Sequence, residues 1–449
     1  MIRDSYWLDQ EYQPTSPLDG EFDVDIVISG AGITGLSEAL FLAEAGVRVA
    51  VLERREVASG ASGRNGGFML SGTHEYYADA VEELTTAYGP GGRRHAREVW
   101  QLAIENHRLM VGLMQRYRIA CDYCNHGSYV VAMARPDRGS HPRPMERVAQ
   151  SARLLQEDGF DSELLDAKTM QGLLRSTAVS GALFNRFDGE LHPVKYVRGL
   201  AQAARGRGVA IFENTPIQDV MRDGRGLLIR TPGGRVRAEW MVMGTNAYTP
   251  QLDMSYETRI TPNRGQAFVT EPVAERLFNG VFYANDGWDY WRQLHDGPGD
   301  GGRLLFGGSR NHHLAAERGS HVLHQRGRII KTYRGYKERP TGMVQRSNDL
   351  AFNRTFPHLA HLKRTHRWGG VMGFSFDSSP FVGETETPGV YVIAGFTGRG
   401  NAYATAAARI LADRILERPS ELESRFPSIR TVFAASRAPC VKTPARRTS

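Results

Sequence analysis

The sequence predicts a mixed α/β (α+β) protein with one domain built on a parallel sheet and a second built on an antiparallel sheet. Three observations support this prediction. A β-branched run, a glycine-rich turn, a helical pattern and a second apolar run follow one another near the start. Short strand-like runs dominate from 261 to about 376. A last strand, glycine loop and helix follow at 391–416, and the 449 residues suffice for two or three domains.

The first element is a βαβ unit. A predicted strand at 24–29 runs into Gly30-Ala31-Gly32-Ile33-Thr34-Gly35, a helix extends to Gly46, and a second strand at 48–52 ends at Glu53. In such a unit the glycines bring backbone N–H groups and a helix N-terminus to a pyrophosphate, and the acid accepts ribose hydroxyls. The unit predicts a Rossmann-like, dinucleotide-binding domain. A second G-x-G-x-x-G at 297–302 precedes a strand, so it is predicted to be a turn.

A run of small residues follows the second strand, Ser59-Gly60-Ala61-Ser62-Gly63-Arg64-Asn65-Gly66-Gly67. Such a run cannot pack a core. It suits a backbone that wraps a large planar ligand and donates N–H groups to it. Gly/Ser runs are also common as flexible linkers, so this segment alone leaves both interpretations open.

Together with the Glu53-Arg54 pair, these two glycine-rich segments resemble the FAD-binding region of the D-amino acid oxidase superfamily, and within it the gamma-glutamylputrescine oxidase family most closely. The resemblance extends to about 416. Its further pieces are Cys121-Asp122-Tyr123, Gly189-Glu190-Leu191-His192-Pro193, Gly244-Thr245-Asn246-Ala247-Tyr248, Asp289-Tyr290-Trp291-Arg292 and Gly395-Phe396-Thr397-Gly398-Arg399-Gly400. It implies a fold like that of glycine oxidase and sarcosine oxidase, with FAD as the cofactor.

The resemblance also implies a discontinuous FAD-binding domain at 20–90, 190–260 and 365–420, with a substrate domain at 91–189 and 261–364. The predicted elements are helices at 76–88, 92–116 and 194–208, with strands at 128–133, 209–212, 226–231, 236–243, 266–269, 290–294 and 303–307. Five of the seven excess positive charges lie in 429–449 without an acid, so residues 421–449 are predicted to be a basic, disordered tail.

The resemblance assigns cofactor-binding roles to a set of residues spread over five segments. They are Gly30, Ala31, Gly32, Ile33, Thr34, Gly35, Glu53, Arg54, Ala61, Ser62, Gly63, Arg64, Asn65, Gly66, Gly67, Gly244, Thr245, Asn246, Gly395, Phe396, Thr397, Gly398, Arg399 and Gly400. Sarcosine oxidase carries its flavin-linking cysteine in a stretch comparable to 369–374, which here has none, and Arg64-Asn65 stand where histidine-linked relatives place theirs. FAD is therefore predicted to be bound non-covalently.

The substrate pocket and flavin face are predicted to involve Tyr290, Trp291, Arg292, Phe374 and Arg399. Alternation along a strand places Tyr290 and Arg292 on one face and Trp291 on the other. The resemblance implies oxidation of a primary or secondary amine by hydride transfer to the flavin, imine hydrolysis and reoxidation by O₂ to hydrogen peroxide. Leu305 is predicted to replace the lysine that sarcosine oxidase presents to the flavin, so Arg292 or Arg399 would assist O₂.

Two alternatives stay open: an amine or 2-hydroxy acid dehydrogenase with a quinone or other acceptor, and a basic flavoprotein that docks nucleic acid or a partner protein through its tail. Three cysteines form no disulfide framework, and the sequence shows neither a signal peptide nor an uncharged apolar run long enough for a bilayer. These features favour a cytoplasmic protein without a nucleic-acid or membrane partner.

No metal site is predicted. Cys121, Cys124 and His126 lack a fourth ligand for a closed zinc site, so a strand or turn contact is favoured. The histidines at 312, 313, 321 and 324 lie in an Arg-rich stretch without acids at ligand spacing, which is predicted to be a solvated insertion.

Overall fold

The computed structural model describes residues 5–72, 76–224, 226–325, 328–334 and 337–435. Two large sheets dominate it, one mainly parallel and one mainly antiparallel, as the sequence predicts. The division into two domains at the predicted boundaries stays a prediction, but the strands show which sheet each segment joins.

The parallel sheet has six strands, of which the edge strand Phe381–Glu384 runs antiparallel to its neighbour. Their order across the sheet is Phe381–Glu384, Val390–Ala394, Trp240–Met243, Ile26–Ser29, Val49–Leu52 and Ala210–Phe212. Successive side chains point to opposite faces. Ile26 and Ile28 therefore pack with a layer of helices, whereas Val27 packs with a small four-stranded sheet, and all three are fully buried.

The helix layer comprises Ile33–Glu44, Pro193–Gly206, Gly400–Ile415 and the long helix Gly92–Arg116. The small sheet on the opposite face has the order Gly20–Asp23, Gly234–Ala238, Gly226–Arg230 and Asp219–Asp223. The parallel sheet is thus covered on both faces, which explains why its strands are continuously apolar.

The large sheet has eight strands, antiparallel except where Val281–Ala284 pairs with Ser128–Met133. Their order is Arg364–Ser375, Ile260–Thr270, Leu304–Gly308, Asp289–Gln293, Val281–Ala284, Ser128–Met133, Val179–Asn185 and Ser162–Asp166. Helix Gly342–Thr355 covers one face through a cluster of aromatic rings that includes Phe268, Phe306 and Phe352.

Further helices are Tyr77–Tyr88, Pro144–Glu157, Ala167–Leu174, Leu314–Glu317, Glu421–Arg425 and Ile429–Val432. Short 3-10 turns lie at Tyr6–Leu8, Ala61–Gly63, Gly89–Gly91, Asn246–Gln251, Met254–Tyr256, Arg310–His313 and Pro357–Leu359. Two small strand pairs complete the fold, Phe68–Met69 with Gly189–Glu190 and Ser320–Gln325 with Arg328–Arg334. Residues 297–302 connect two strands of the large sheet as a turn, which confirms that prediction.

Two sequence predictions are wrong at the level of elements. Residues 236–243 are two strands in different sheets, because the N–H groups of Glu239 and Trp240 both bond to the carbonyl oxygen of Asp25 where the chain crosses over. Residues 365–375, predicted to belong to the FAD-binding domain, pair with Ile260–Thr270 in the large sheet, and the predicted domain boundary stays a prediction.

The second correction concerns the predicted tail. Residues 421–435 form two short helices whose apolar residues Phe426, Ile429 and Phe433 are buried in the main core. The prediction of disorder rests on the excess of basic residues and misses the spacing of these apolar residues. The rest of the predicted tail, with Cys440, lies outside the described residues.

Candidate active site

A cavity of about 630 Å³ lies where the carboxyl ends of the parallel strands meet the large sheet. Ligand pockets in α/β proteins commonly occupy this position and have this size. The cavity wall combines loops that follow the parallel strands with side chains from the large sheet. Two contacts join these parts, since Trp368 Nε1 donates to the carbonyl oxygen of Arg64 at 2.9 Å and the Arg64 guanidinium donates to Gly369.

Most of the residues predicted to bind the cofactor line this one cavity, although they come from five separate segments. They are Gly30, Ala31, Gly32, Ile33, Thr34, Glu53, Arg54, Ala61, Ser62, Arg64, Asn65, Gly66, Gly244, Thr245, Asn246, Phe396, Gly398, Arg399 and Gly400. The structure brings them together, and their contacts to a cofactor stay predictions.

Five predicted residues do not line the cavity: Gly35, Gly63, Gly67, Gly395 and Thr397. Gly35, Gly63 and Gly67 serve close packing instead, because a Cβ on any of them would lie 2.1–2.2 Å from a backbone oxygen. Thr397 is buried and accepts from the Ser375 N–H, and the N–H of Gly395 donates to the Asn246 side chain. These residues shape the loops rather than the cavity surface.

The first glycine turn opens a binding surface made of backbone. Gly30 has φ +100°, a conformation that favours glycine. A Cβ on Gly32 would lie 2.8 Å from Ser62 Oγ, so this position admits no side chain without a shift. Helix Ile33–Glu44 begins after Gly32, which has no side chain to cap it. Ser62 Oγ accepts from the Ile33 N–H at 3.0 Å, and the positive end of the helix faces the cavity.

The Glu53 carboxylate lies beside the glycine turn and bonds to two backbone N–H groups. Its two carboxylate oxygens accept from the N–H of Ala31 at 2.8 Å and from the N–H of Arg55 at 2.9 Å. Burial raises the pKa of Glu53, and these two bonds oppose the rise by favouring the carboxylate. The arrangement presents acceptor oxygens on the cavity wall beside the anion-binding turn.

An ion-pair network that the sequence analysis missed closes this end of the cavity. Glu338 accepts from Arg55 at 2.5 Å and from the Tyr248 hydroxyl at 3.2 Å, and it lies 3.4 Å from Arg64 Nε. Burial opposes ionisation, but the arginines hold the pKa of Glu338 below its usual value. The network fastens the small-residue loop to residues 337–339, a tertiary contact with no local sequence pattern.

The opposite end of the cavity is aromatic and cationic. Tyr283, Trp288, Tyr290 and Arg310 line it, all from the large sheet or its connections. The Arg310 guanidinium carbon lies 4.9 Å from the Trp288 ring centroid and 4.6 Å from that of Phe374. Burial lowers the pKa of Arg310 to about 10, so the side chain is still a cation at neutral pH. Glu317 acts on Arg310 only at a distance and is ion-paired with Arg264, so no carboxylate of the described residues forms an ion pair with Arg310.

The residues predicted for the substrate end divide into two groups. Tyr290 and Arg399 line the cavity, and Phe374 contacts Arg310 from behind the wall. Trp291 does not line it, because this ring stacks between Phe282 and Phe306 in the aromatic core. The strand alternation of Tyr290 and Trp291 is as predicted.

Arg292 is also absent from the cavity wall. Its buried guanidinium donates to the carbonyl oxygen of Gly67 at 3.1 Å and lies 3.6 Å from Glu190. Leu305 is fully buried in the main core and does not line the cavity either. Of the two cations predicted to assist O₂, only Arg399 therefore reaches the cavity.

Sequence analysis missed Arg310 because it follows strand Leu304–Gly308 at the start of the stretch interpreted as a solvated insertion. A glycine-ended strand followed by arginine is not a distinctive pattern. His312 and His313 nearby bond to Asp137 and Ser347, and the side chains at 321 and 324 lie outside the described residues.

The comparison with known families agrees with this geometry. Residues 25–414 match the DAO family, described as FAD dependent oxidoreductase. The chain belongs to this family, and it is an FAD-dependent oxidoreductase, which confirms the predicted family and cofactor. Among the described residues, no helix has the length and apolar character to cross a bilayer. The predicted cytoplasmic location stays a prediction.

Individual relatives are more distant. The chain is 28% identical to the probable oxidoreductase OrdL of Haemophilus influenzae, covering 95% of this chain and 92% of that protein. It is 27% identical to gamma-glutamylputrescine oxidoreductase of Escherichia coli, covering 90% and 86%. The crystal structure of glycine oxidase from Geobacillus kaustophilus matches with a TM-score of 0.71 at 20% identity, covering 93% of this chain and 99% of that chain. The last likeness shows the predicted fold.

The residues present fit FAD. The open turn at Gly32 and the helix N-terminus suit a pyrophosphate, and the Glu53 oxygens suit ribose hydroxyls. Among the described residues that line the cavity there is neither cysteine nor histidine. This supports the prediction of non-covalent FAD, which release of the flavin on acid denaturation would check.

Proposed function

We propose that the protein oxidises a small primary or secondary amine that carries a carboxylate. One observation carries the proposal: Arg310 is a half-buried cation in the cavity wall, and no carboxylate within the described residues forms an ion pair with it. A partly desolvated charge without an ion-pair partner is unfavourable, and a ligand carboxylate would supply a bidentate partner. Two similar proteins are named glycine oxidase and gamma-glutamylputrescine oxidoreductase, and these names support an amine as the electron donor.

When bound, FAD supplies the redox chemistry by accepting a hydride from the carbon next to the amine nitrogen. The protein orients that carbon by holding the carboxylate at Arg310, while the aromatic wall of Trp288, Tyr283 and Tyr290 limits access of water. Burial raises the pKa of Tyr290 to about 12, so its hydroxyl stays neutral and can donate a hydrogen bond to substrate. The imine product then hydrolyses to a carbonyl compound and an amine or ammonia.

O₂ is the proposed electron acceptor, giving hydrogen peroxide. Support comes from Arg399, which lines the cavity at the start of helix Gly400–Ile415, where positive charge favours a developing superoxide. The alternative is a dehydrogenase that uses a quinone or another acceptor.

Anaerobic bleaching of the flavin tests the donor without assuming an acceptor. Three matched compounds suffice: an amine with a carboxylate, the same amine without it, and the 2-hydroxy acid of the same skeleton. We expect rapid bleaching by the first and bleaching slower by at least about tenfold for the second, because a buried charge pair is lost. Preferred bleaching by the hydroxy acid would overturn the amine assignment, and equal rates for the two amines would overturn the role of the carboxylate.

Admitting air to the reduced enzyme tests the acceptor separately. Reoxidation within seconds with one hydrogen peroxide per flavin supports an oxidase. Reoxidation over many minutes, alongside rapid reoxidation by a quinone, would assign the enzyme as a dehydrogenase.

A further inference from the structure

Four side chains capable of binding a metal meet outside the cavity. Cys124, His126, Glu190 and His295 each offer one ligand atom, and all of these atoms lie within 4.8 Å of one another. None of the four lines the cavity. Local sequence spacing groups Cys124 and His126 with Cys121 instead, because Glu190 and His295 lie far along the chain.

The backbone that carries the cluster is held in place by sheet-like hydrogen bonds. The N–H of Cys124 donates to the Glu190 carbonyl oxygen at 2.9 Å, and the N–H of Glu190 donates to that of Cys124 at 2.8 Å. Glu190 also pairs with Phe68, and His295 follows shortly after strand Asp289–Gln293 of the large sheet. The four positions are therefore fixed by the fold and need no loop rearrangement to come together.

Two buried polar atoms in the cluster have no hydrogen-bond partner among the described residues. They are Glu190 Oε2, on a residue only 1% exposed, and His126 Nδ1. Glu190 Oε1 lies 3.2 Å from His295 Nε2 and 3.6 Å from His126 Nδ1. Glu190 Oε2 also lies 3.6 Å from an Arg292 guanidinium nitrogen, which balances its charge without a hydrogen bond. Buried polar atoms nearly always make a hydrogen bond, so an ion bound between these atoms would supply the partner that both lack.

We propose that Cys124, His126, Glu190 and His295 bind one Zn²⁺ ion. One thiolate, two imidazoles and one carboxylate form a ligand set that zinc prefers, and their number completes a closed tetrahedral site. Tetrahedral zinc bonds place ligand atoms about 3.3–3.8 Å apart, so rotamer adjustments of about 1 Å close the cluster. Binding replaces the protons of the Cys124 thiol and of any protonated ligand imidazole nitrogen, which are released to solvent.

Arg276 is a built-in competitor for this site. Its guanidinium lies 2.9 Å from His295 Nδ1 and also donates to the backbone carbonyls of residues 293, 294, 300 and 301. When zinc binds Nε2 of a neutral imidazole, Nδ1 carries the proton and no longer accepts from arginine. Arg276 must then release His295. Its hydrogen bonds to the backbone carbonyls hold the guanidinium in place after this release. An Arg276→Gln variant removes the competition and offers an amide oxygen to Nδ1–H.

The site is structural rather than catalytic in this proposal. Glu190 lies 3.6 Å from Arg292, which in turn donates to the carbonyl oxygen of Gly67, the last residue of the small-residue loop. The ion would fasten residues 124–126, strand Gly189–Glu190 and the turn at His295 at the base of that loop.

The test uses the full-length, FAD-loaded protein, stripped with a chelator and titrated with Zn²⁺ against a chromogenic competitor. We expect one zinc per chain and, by X-ray absorption at the zinc edge, one sulfur at about 2.3 Å with nitrogen and oxygen ligands. Cys124→Ser and His295→Ala should weaken binding by more than about tenfold, and Arg276→Gln should tighten it. The flavin content of each variant shows whether it is folded. Because His295 is exposed, we expect the His295→Ala variant to fold.

Cys121→Ser is the matched control, since Cys121 belongs to the same Cys-x-x-Cys pattern but lies buried in the main core. Zinc binding at wild-type affinity in this control supports the site. Absence of stoichiometric binding, a zinc shell without sulfur, or unchanged affinity in a folded Cys124→Ser variant would overturn it.

Discussion

The two ends of the cavity are built in different ways. At the dinucleotide end, backbone groups and one carboxylate from the short stretch 30–53 make the binding surface. At the substrate end, Tyr283, Trp288, Tyr290 and Arg310 present side chains from successive parts of the large sheet. A backbone surface depends on where glycine permits close approach, whereas a side-chain surface depends on how strands align. Substitutions at the two ends should therefore fail in different ways.

The largest expected effect is at the dinucleotide end. Gly32→Val places a branched side chain where even a Cβ lies 2.8 Å from Ser62 Oγ, and this blocks the approach of the pyrophosphate. We expect loss of FAD from the purified protein, measured by the ratio of flavin to protein absorbance. Gly112→Val is the matched control, because a Cβ at Gly112 meets nothing within 4 Å. Normal FAD content in Gly32→Val would show that the pyrophosphate binds elsewhere.

The next effect separates the two ends. Arg310→Leu should lower kcat/KM for a carboxylate-bearing amine by about 100-fold, because the substrate charge is left without its buried partner. FAD content should not change, since Arg310 lies away from the glycine turn. Arg318→Leu is the control, being an exposed arginine eight positions along the chain. An equal loss of activity toward the amine without a carboxylate would argue that Arg310 only supports the wall.

A smaller effect is expected at Glu53. In Glu53→Gln one of the two N–H donors, of Ala31 or Arg55, faces an amide NH₂ instead of an oxygen. We expect FAD affinity to fall by about tenfold, from the loss of one charge-assisted bond, in titrations of apoprotein with FAD. Glu56→Gln provides the control. Unchanged affinity would mean that the carboxylate does not contact the cofactor.

The smallest effect is expected outside the cavity. Replacing Cys121 and Cys124 together by serine should leave turnover within a fewfold of the parent, because neither residue lines the cavity. This holds even if zinc is lost, since the proposed ion is structural. Loss of turnover with FAD still bound would place the Cys-x-x-Cys segment in the reaction.

Local pattern predicted the dinucleotide end well. The turn at Gly30, the helix that follows it and the acid at Glu53 occupy the predicted positions, because all three belong to one contiguous βαβ unit. The substrate end was predicted only partly. Tyr290 lines the cavity, but Trp291 is in the aromatic core and Arg292 pairs with Glu190. Strand alternation gives opposite faces without saying which face meets the cavity.

Sequence alone thus determined the family, the cofactor and the glycine turn that a dinucleotide needs, because adjacent residues determine short-range backbone geometry. Tertiary structure decided which side chains share a space. Arg310 beside Phe374, Glu338 beside Arg55, and His295 beside Cys124 are all pairs from distant segments. The physical reason is that long-range pairing follows from how whole sheets pack, and no local spacing encodes the distance between two strands.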